Sequence, residues 1–292
     1  MGAKQTNMGA RVVLRGAALA ALFAGGWALA GLASGEPRQV EAERAVEPQG
    51  ASEGQGAAEA RAQLVSALAA QSVRIDFDAG WAAIPCEVVV RGDLLEYLLV
   101  NRSGAAHESM FATAVTPSVL NAALLALGAA PGANARWVPK DGPEGRPLFD
   151  IVPPSGDGFY LHVAWRRGEE LHFHRLEDLV LDRASGATLR RQKFVYLGSR
   201  MVATREGAPP VFAADIEGNL VNVSFFEAGH TLLTTATPEC VRQTVWLPNG
   251  WLLPSQGEAA TLLFARARLA QLPASLVEQL VDLGPLQAPE AR

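Results

Sequence analysis

Five histidines, two cysteines and a few clustered carboxylates are the side chains from which this sequence could build chemistry. Three of the histidines fall close together, His162 in the run 159–165 and His172 and His174 in the run 170–176, with Arg166-Arg167-Gly168 between them. If those three residues form a hairpin loop with Gly168 in the left-handed position, Trp165 pairs with Glu169. Val163 then faces Leu171 and Leu161 faces Phe173 on an apolar side, while His162 opposes His172 and Tyr160 opposes His174 on the other. Opposed Cβ atoms lie roughly 4.5–5.5 Å apart. This register makes His162, His172 and His174 candidate ligands for one divalent metal ion, against the alternative of a solvated polar face rich in histidine.

His107-Glu108-Ser109 is the second constellation. Entering a strand that continues through Met110, Phe111 and Ala112, it sends Glu108 to one face and His107 and Ser109 to the other. Two roles stand open. The residues could anchor the 101–106 turn or the start of a helix at Pro117, or they could bind a ligand or move a proton at the mouth of a cleft. Cys86 and Cys240 form a candidate disulfide in an exported chain, the alternative being two separate thiols. Two cysteines cannot supply four thiolates, so an iron–sulfur cluster held by four thiolates of this chain and a four-thiolate zinc site are both excluded. No phosphate-cradling Gly-rich loop, dinucleotide fingerprint, nucleophile elbow or His-Glu-x-x-His motif is present. Gly198-Ser199 lacks the flanks of an elbow and reads as a turn.

The elements that must position these groups are mostly strands. β-Branched and aromatic residues cluster in 73–77, 84–90 and 94–100, separated by Asp78, Gly80, Pro85, Gly92 and Asp93, and the break at 101–105 predicts a hairpin return through 106–115. Thr116 as cap, Pro117 in the first turn and apolar residues three or four apart predict a helix ending at Gly128. Residues 139–154 read as a Pro-rich loop. Strands are expected over 159–165, 170–176, 193–198, 211–215, 219–224, 244–247 and 260–265, with short helices over 225–233 and 274–283. Because strands follow one another rather than alternating with helices, the fold class is α+β, a mostly antiparallel sheet with a few short helices in a single main domain.

The chain of 292 residues is 49% hydrophobic and 19% charged, with net charge −5, a composition that folds and that argues against nucleic acid as a partner. Lys4, Arg11 and Arg15 precede an uncharged run over 16–35, an export signal with small-x-small cleavage sites at Ala28-Leu29-Ala30 or Gly31-Leu32-Ala33. The alternative is an uncleaved anchor that tethers the protein to the membrane. Residues 1–33 are thus signal or anchor, and 34–72 are a flexible linker with a short helix over 57–71. Residues 73–266 form the folded domain, and 267–292 a terminal helix and tail.

Gly92-x-Leu94-Leu95-Glu96-Tyr97-Leu98, His107-Glu108-Ser109 and the run from Thr116-Pro117-Ser118 to Leu127-Gly128-Ala129, with Pro131-Gly132 after it, resemble the YdjY-domain proteins of bacteria. Glu177-Asp178, Gly198-Ser199 and Ala214-Asp215-x-x-Gly218 followed by Leu220-Val221-x-Val223 continue the likeness over about 75–265. The resemblance implies the domain and no particular reaction. A ferredoxin-like label attached to some members does not carry over to a chain with only Cys86 and Cys240. Taken together, the sequence predicts a periplasmic or extracellular protein, a noncatalytic domain that binds an envelope partner or small ligand. The alternative is a metal-dependent or acid–base enzyme using His107 and Glu108 or the three hairpin histidines.

Overall fold

The computed structural model describes residues 50–142 and 147–285; the export segment and the first part of the linker lie outside the described residues. The chain opens with helix α1 (Gly50–Ala69), then strands β1 (Arg74–Asp76), β2 (Trp81–Val88), β3 (Tyr97–Asn101) and β4 (Ser109–Thr113). Helix α2 (Pro117–Ala126) leads into β5 (Arg136–Asp141), β6 (Pro147–Val152), β7 (Gly158–Arg167), β8 (Glu170–Arg175), β9 (Val180–Asp182) and β10 (Phe194–Tyr196). There follow β11 (Met201–Val202), β12 (Val211–Phe212), α3 (Ala213–Glu217), β13 (Asn219–Asn222), β14 (Leu233–Thr234), β15 (Trp246–Pro248), β16 (Ala259–Ala265) and α4 (Ala274–Val277).

The protein is mostly β with few short helices, but its main sheet is a closed barrel rather than a simple sheet. Eight strands run in the order β2-β16-β7-β10-β14-β13-β3-β4, and pairing of β4 with β2 joins the ends. Strand alternation fills the interior with Ala82, Ile84, Cys86 and Val88 from β2, Leu161 and Val163 from β7, and Leu262 and Phe264 from β16. Closure at eight strands leaves a lumen that side chains can fill, and it removes the exposed edges of an open sheet. β2, β16 and β7 are also apolar outside, where Trp81, Ala83, Ala164, Leu263 and Ala265 meet Leu276 and Leu280. The C-terminal segment is therefore a cover over that wall.

Several sequence expectations change. Residues 97–101 and 109–113 pair in parallel, Tyr97 opposite Ser109 and Asn101 opposite Thr113, instead of as a hairpin. The return leg is taken by residues 102–108 themselves, which include a 3-10 turn over Ala106–Glu108, so β4 starts again level with β3. The loop expected at 139–154 is largely the β5–β6 arm, whose two strands pair with each other and expose Val138, Leu148 and Phe149. The expected helix at 225–233 is absent: its end is drawn into the barrel as β14, with Leu197 N–H bonded to the Leu232 carbonyl. Tertiary pairing overrides a local helical pattern there. α1 begins at Gly50 rather than Ala57. α2 matches its expected span, but Thr116 makes no side-chain cap; the Asp215 carboxylate accepts the Ser118 N–H at 2.8 Å and caps the helix from α3.

Candidate functional site

The β7–β8 hairpin turns on two residues, with Gly168 at φ 60° in the first central position, the place where a type II′ turn requires glycine. That shortens the loop by one residue relative to the sequence reading. Arg167 pairs with Glu170, Trp165 with His172, Val163 with His174 and His162 with Arg175. A slip of one residue moves a whole strand's side chains to the other face. The convergence of three imidazoles is therefore corrected: His172 and His174 share the face of Trp165 and Val163, while His162 looks out the other way. Among the described residues no three His, Cys, Asp or Glu side chains come together to hold a metal ion.

His172 and His174 lie flat against Trp165, with ring centroids 5.0 and 5.1 Å from the indole. The Nε2 atoms of both are buried without a hydrogen-bond partner. Burial holds the His174 imidazole below its ordinary range, helped by His172 and opposed by Asp178.

On the outer face His162 is 1% exposed and stacks on Phe173 at 5.0 Å between centroids. Neither ring nitrogen has a partner of hydrogen-bonding geometry. Burial pushes its pKa down to about 4; Arg175 adds to the shift. Polar contact with the Tyr160 backbone, the Asp178 carboxylate and polar contact with the Leu269 backbone oppose it, the backbone contacts falling short of full hydrogen-bonding geometry. The ring is neutral at pH 7 and can offer one donor and one acceptor. Beside it opens a recess of about 410 Å³, bordered by His174, Arg175, Asp178, Arg191, Arg268 and Leu269, with His174 reaching it at the free edge of β8. Arg175 and Arg191 are already engaged. Arg175 binds the fully buried Glu177 at 2.7 Å, and Arg191 gives Asp178 two bonds of 3.0 Å.

The 107–109 constellation splits. Because 106–108 is a 3-10 turn, strand alternation starts only at Ser109, and His107 stands exposed 3.7 Å from the Glu108 carboxylate. Ser109 is buried, its hydroxyl donating to the Phe111 carbonyl at 2.8 Å. Across the strand pair, Glu96 is held above its ordinary range by burial and by Glu108, against the pull of His107. Cys86 and Cys240 are both free and buried. The expected disulfide is not formed: the Cys86 thiol points to the Ala260 carbonyl across the barrel wall, while Cys240 contacts the Thr237 hydroxyl in the 3-10 turn Pro238–Val241.

Sequence reasoning missed two groupings. His230 sits between Glu217 at Nδ1 and Arg200 at Nε2, 2.6 Å from the guanidinium; since arginine only donates, Nε2 accepts and the proton lies on Nδ1. The three residues span thirty positions with no informative spacing. The second is the ring of Tyr160, ringed by the cations of Arg268 at 5.3 Å, Lys193 at 5.6 Å and Arg175 at 5.7 Å. They come from three separate segments, so no run of basic residues announces them.

Most motifs of the family-like core are occupied in holding the barrel. Asp215 caps α2, Gly218 takes φ 72° against the backbone of Gly104, and the Ser199 hydroxyl binds the His230 carbonyl. Glu177 accepts from the Gln192 N–H as well as from Arg175. No curated protein and no solved structure matches the chain. The YdjY domain model matches residues 73–265, from the residue before β1 to the last residue of β16, and the chain belongs to the YdjY-domain family.

Proposed function

We propose that this protein is an exported, noncatalytic binding domain of the bacterial envelope, held or delivered by its N-terminal segment, with its ligand site in the recess beside His162. The observation that carries the reading is a buried imidazole with two unpartnered nitrogens bordering an open recess. A buried polar group without a partner costs roughly 1–3 kcal/mol, a cost that a ligand supplying the missing bonds removes. The polar residues suited to catalysis give less support. The hydroxyls of Ser109 and Ser199 are bonded to backbone carbonyls, and His107 stands exposed to solvent beside the Glu108 carboxylate.

Native mass spectrometry of the untagged chain, incubated with a small-molecule extract of the producing cells, tests the reading. The expected result is a ligand bound and released with its mass unchanged. Conversion of a compound by the wild type but not by His107→Gln or Glu108→Gln would establish the acid–base enzyme instead. Fractionation of cells making the full chain, and a chain lacking residues 1–33, should place the first in the envelope and the second in the cytoplasm.

A further inference from the structure

The cations beside His162 point to the chemistry of its ligand. The chain carries net charge −5, yet three positive side chains from three segments crowd within 6 Å of the Tyr160 ring. Their cation–π contacts offset only part of the mutual repulsion. Arg175 is neutralised by Glu177, and the nearby Asp178 by Arg191. Arg268 and Lys193 form no ion pair among the described residues. Arg268 therefore brings an unneutralised charge to the recess whose wall holds the buried His162, and Lys193 adds a second beside the ring of Tyr160, next to the recess. The tyrosine and histidine are two apart on β7 and share its outer face, so the cationic and neutral polar groups lie side by side.

Resting on the binding-domain reading above, we propose that this recess binds a small soluble oxyanion, a carboxylate- or phosphate-bearing molecule. Its charged end lies at Arg268, on the side of the recess toward Tyr160 and Lys193, and an uncharged polar group lies against the wall that holds His162. A volume of about 410 Å³ suits a small metabolite. Cations left without counterions supply the attraction, and the imidazole, fixed flat on Phe173, supplies direction.

The test is imidazole ¹⁵N NMR of the untagged full chain titrated with inorganic phosphate and, separately, with succinate, the His162 signal being assigned by its loss in His162→Phe. Saturable movement of that signal with at least one probe is expected. Lys193→Gln/Arg268→Gln should raise the apparent Kd by about tenfold or more, since each charged hydrogen bond is worth at least that factor. Removing equal charge elsewhere, in Arg183→Gln/Arg205→Gln, should leave Kd within about twofold. His162→Phe should fold with undiminished Tm and bind phosphate or succinate more weakly by backbone amide shifts.

No saturable shift with either probe, an unchanged Kd in the double variant, or an equal loss in the control would overturn the proposal. Binding to phosphatidylglycerol vesicles without response to the soluble probes would overturn it too, placing the anion preference at a lipid surface. A neutral ligand recovered from the cell extract would leave the binding domain standing and remove the oxyanion alone.

Discussion

His162 is a neutral imidazole closed into an apolar wall, and the structural cost of that choice has a measurable sign. A histidine whose folded pKa is lowered binds fewer protons folded than unfolded, so its contribution is complete above the ordinary value of 6.5 and is lost as pH falls toward about 4. The full span amounts to at most about 3 kcal/mol. His174 shifts in the same direction and adds to the slope. In His162→Phe the decline of Tm between pH 7 and 4 should flatten while Tm at pH 7 holds or rises, because an aromatic ring of similar size replaces an unsatisfied polar one. Melting curves across that range check it, and an unaltered slope would show that His162 is hydrogen-bonded or protonated after all. The cysteines make a second residue-scale statement. Burial pushes both thiols up, so neither should react with a thiol reagent in the native protein, and both should react once it is denatured. Denatured, unreduced protein from an oxidising compartment that lacked free thiols would contradict the observed separation of Cys86 from Cys240.

At the scale of elements, α2 shows how a helix can be capped by a residue its own sequence does not contain. Its first turn begins with Thr116 and Pro117, yet the bond to the Ser118 N–H comes from Asp215, near the start of α3. Asp215→Ala should therefore destabilise the protein by about 1 kcal/mol in urea unfolding, whereas Thr116→Ala should change it by less than about half of that. The reverse ranking would return the cap to Thr116. α3 ends in Gly218 at φ 72°, where an added Cβ would meet the Gly104 nitrogen at 2.6 Å. One short helix thus caps α2 and brings the chain against the 101–104 turn. The family-like sequence Ala214-Asp215-x-x-Gly218 records those two contacts.

For the whole molecule, closure of the barrel divides its surface chemistry into an inside and an outside. β7 carries Leu161 and Val163 inward and Tyr160 and His162 outward, and the segment after β16 folds back over the outer face through Leu269, Leu276 and Leu280. Asp282 accepts from the Gly168 N–H at 2.9 Å, and Arg167 donates to the Gly284 carbonyl at 2.9 Å, tying this cover to the tip of the histidine hairpin. A chain ending at Leu269 should expose Trp81 and Leu263, bind a hydrophobic dye and lose its sharp thermal transition. Retention of a cooperative melt with normal Tm would show that the barrel stands without its cover.

The sequence by itself determined where β7, β8, β13 and β16 run, because period-two alternation and turn residues are local signals, and it placed α2 between Pro117 and Gly128. It also identified the YdjY domain, whose motifs over 92–132 and 177–223 are contiguous stretches of chain. The parallel pairing of β3 with β4, the meeting of β4 with β2 and the register of the β7–β8 hairpin were decided by tertiary structure. Each depends on which segments share a bond, and a single residue of loop length reverses every side chain beyond it. That one-residue difference separates His162 from His172 and His174. The cations around Tyr160 come from β8, the loop before β10 and the segment after β16, and only the folding of those segments onto one outer wall brings their charges beside the same ring.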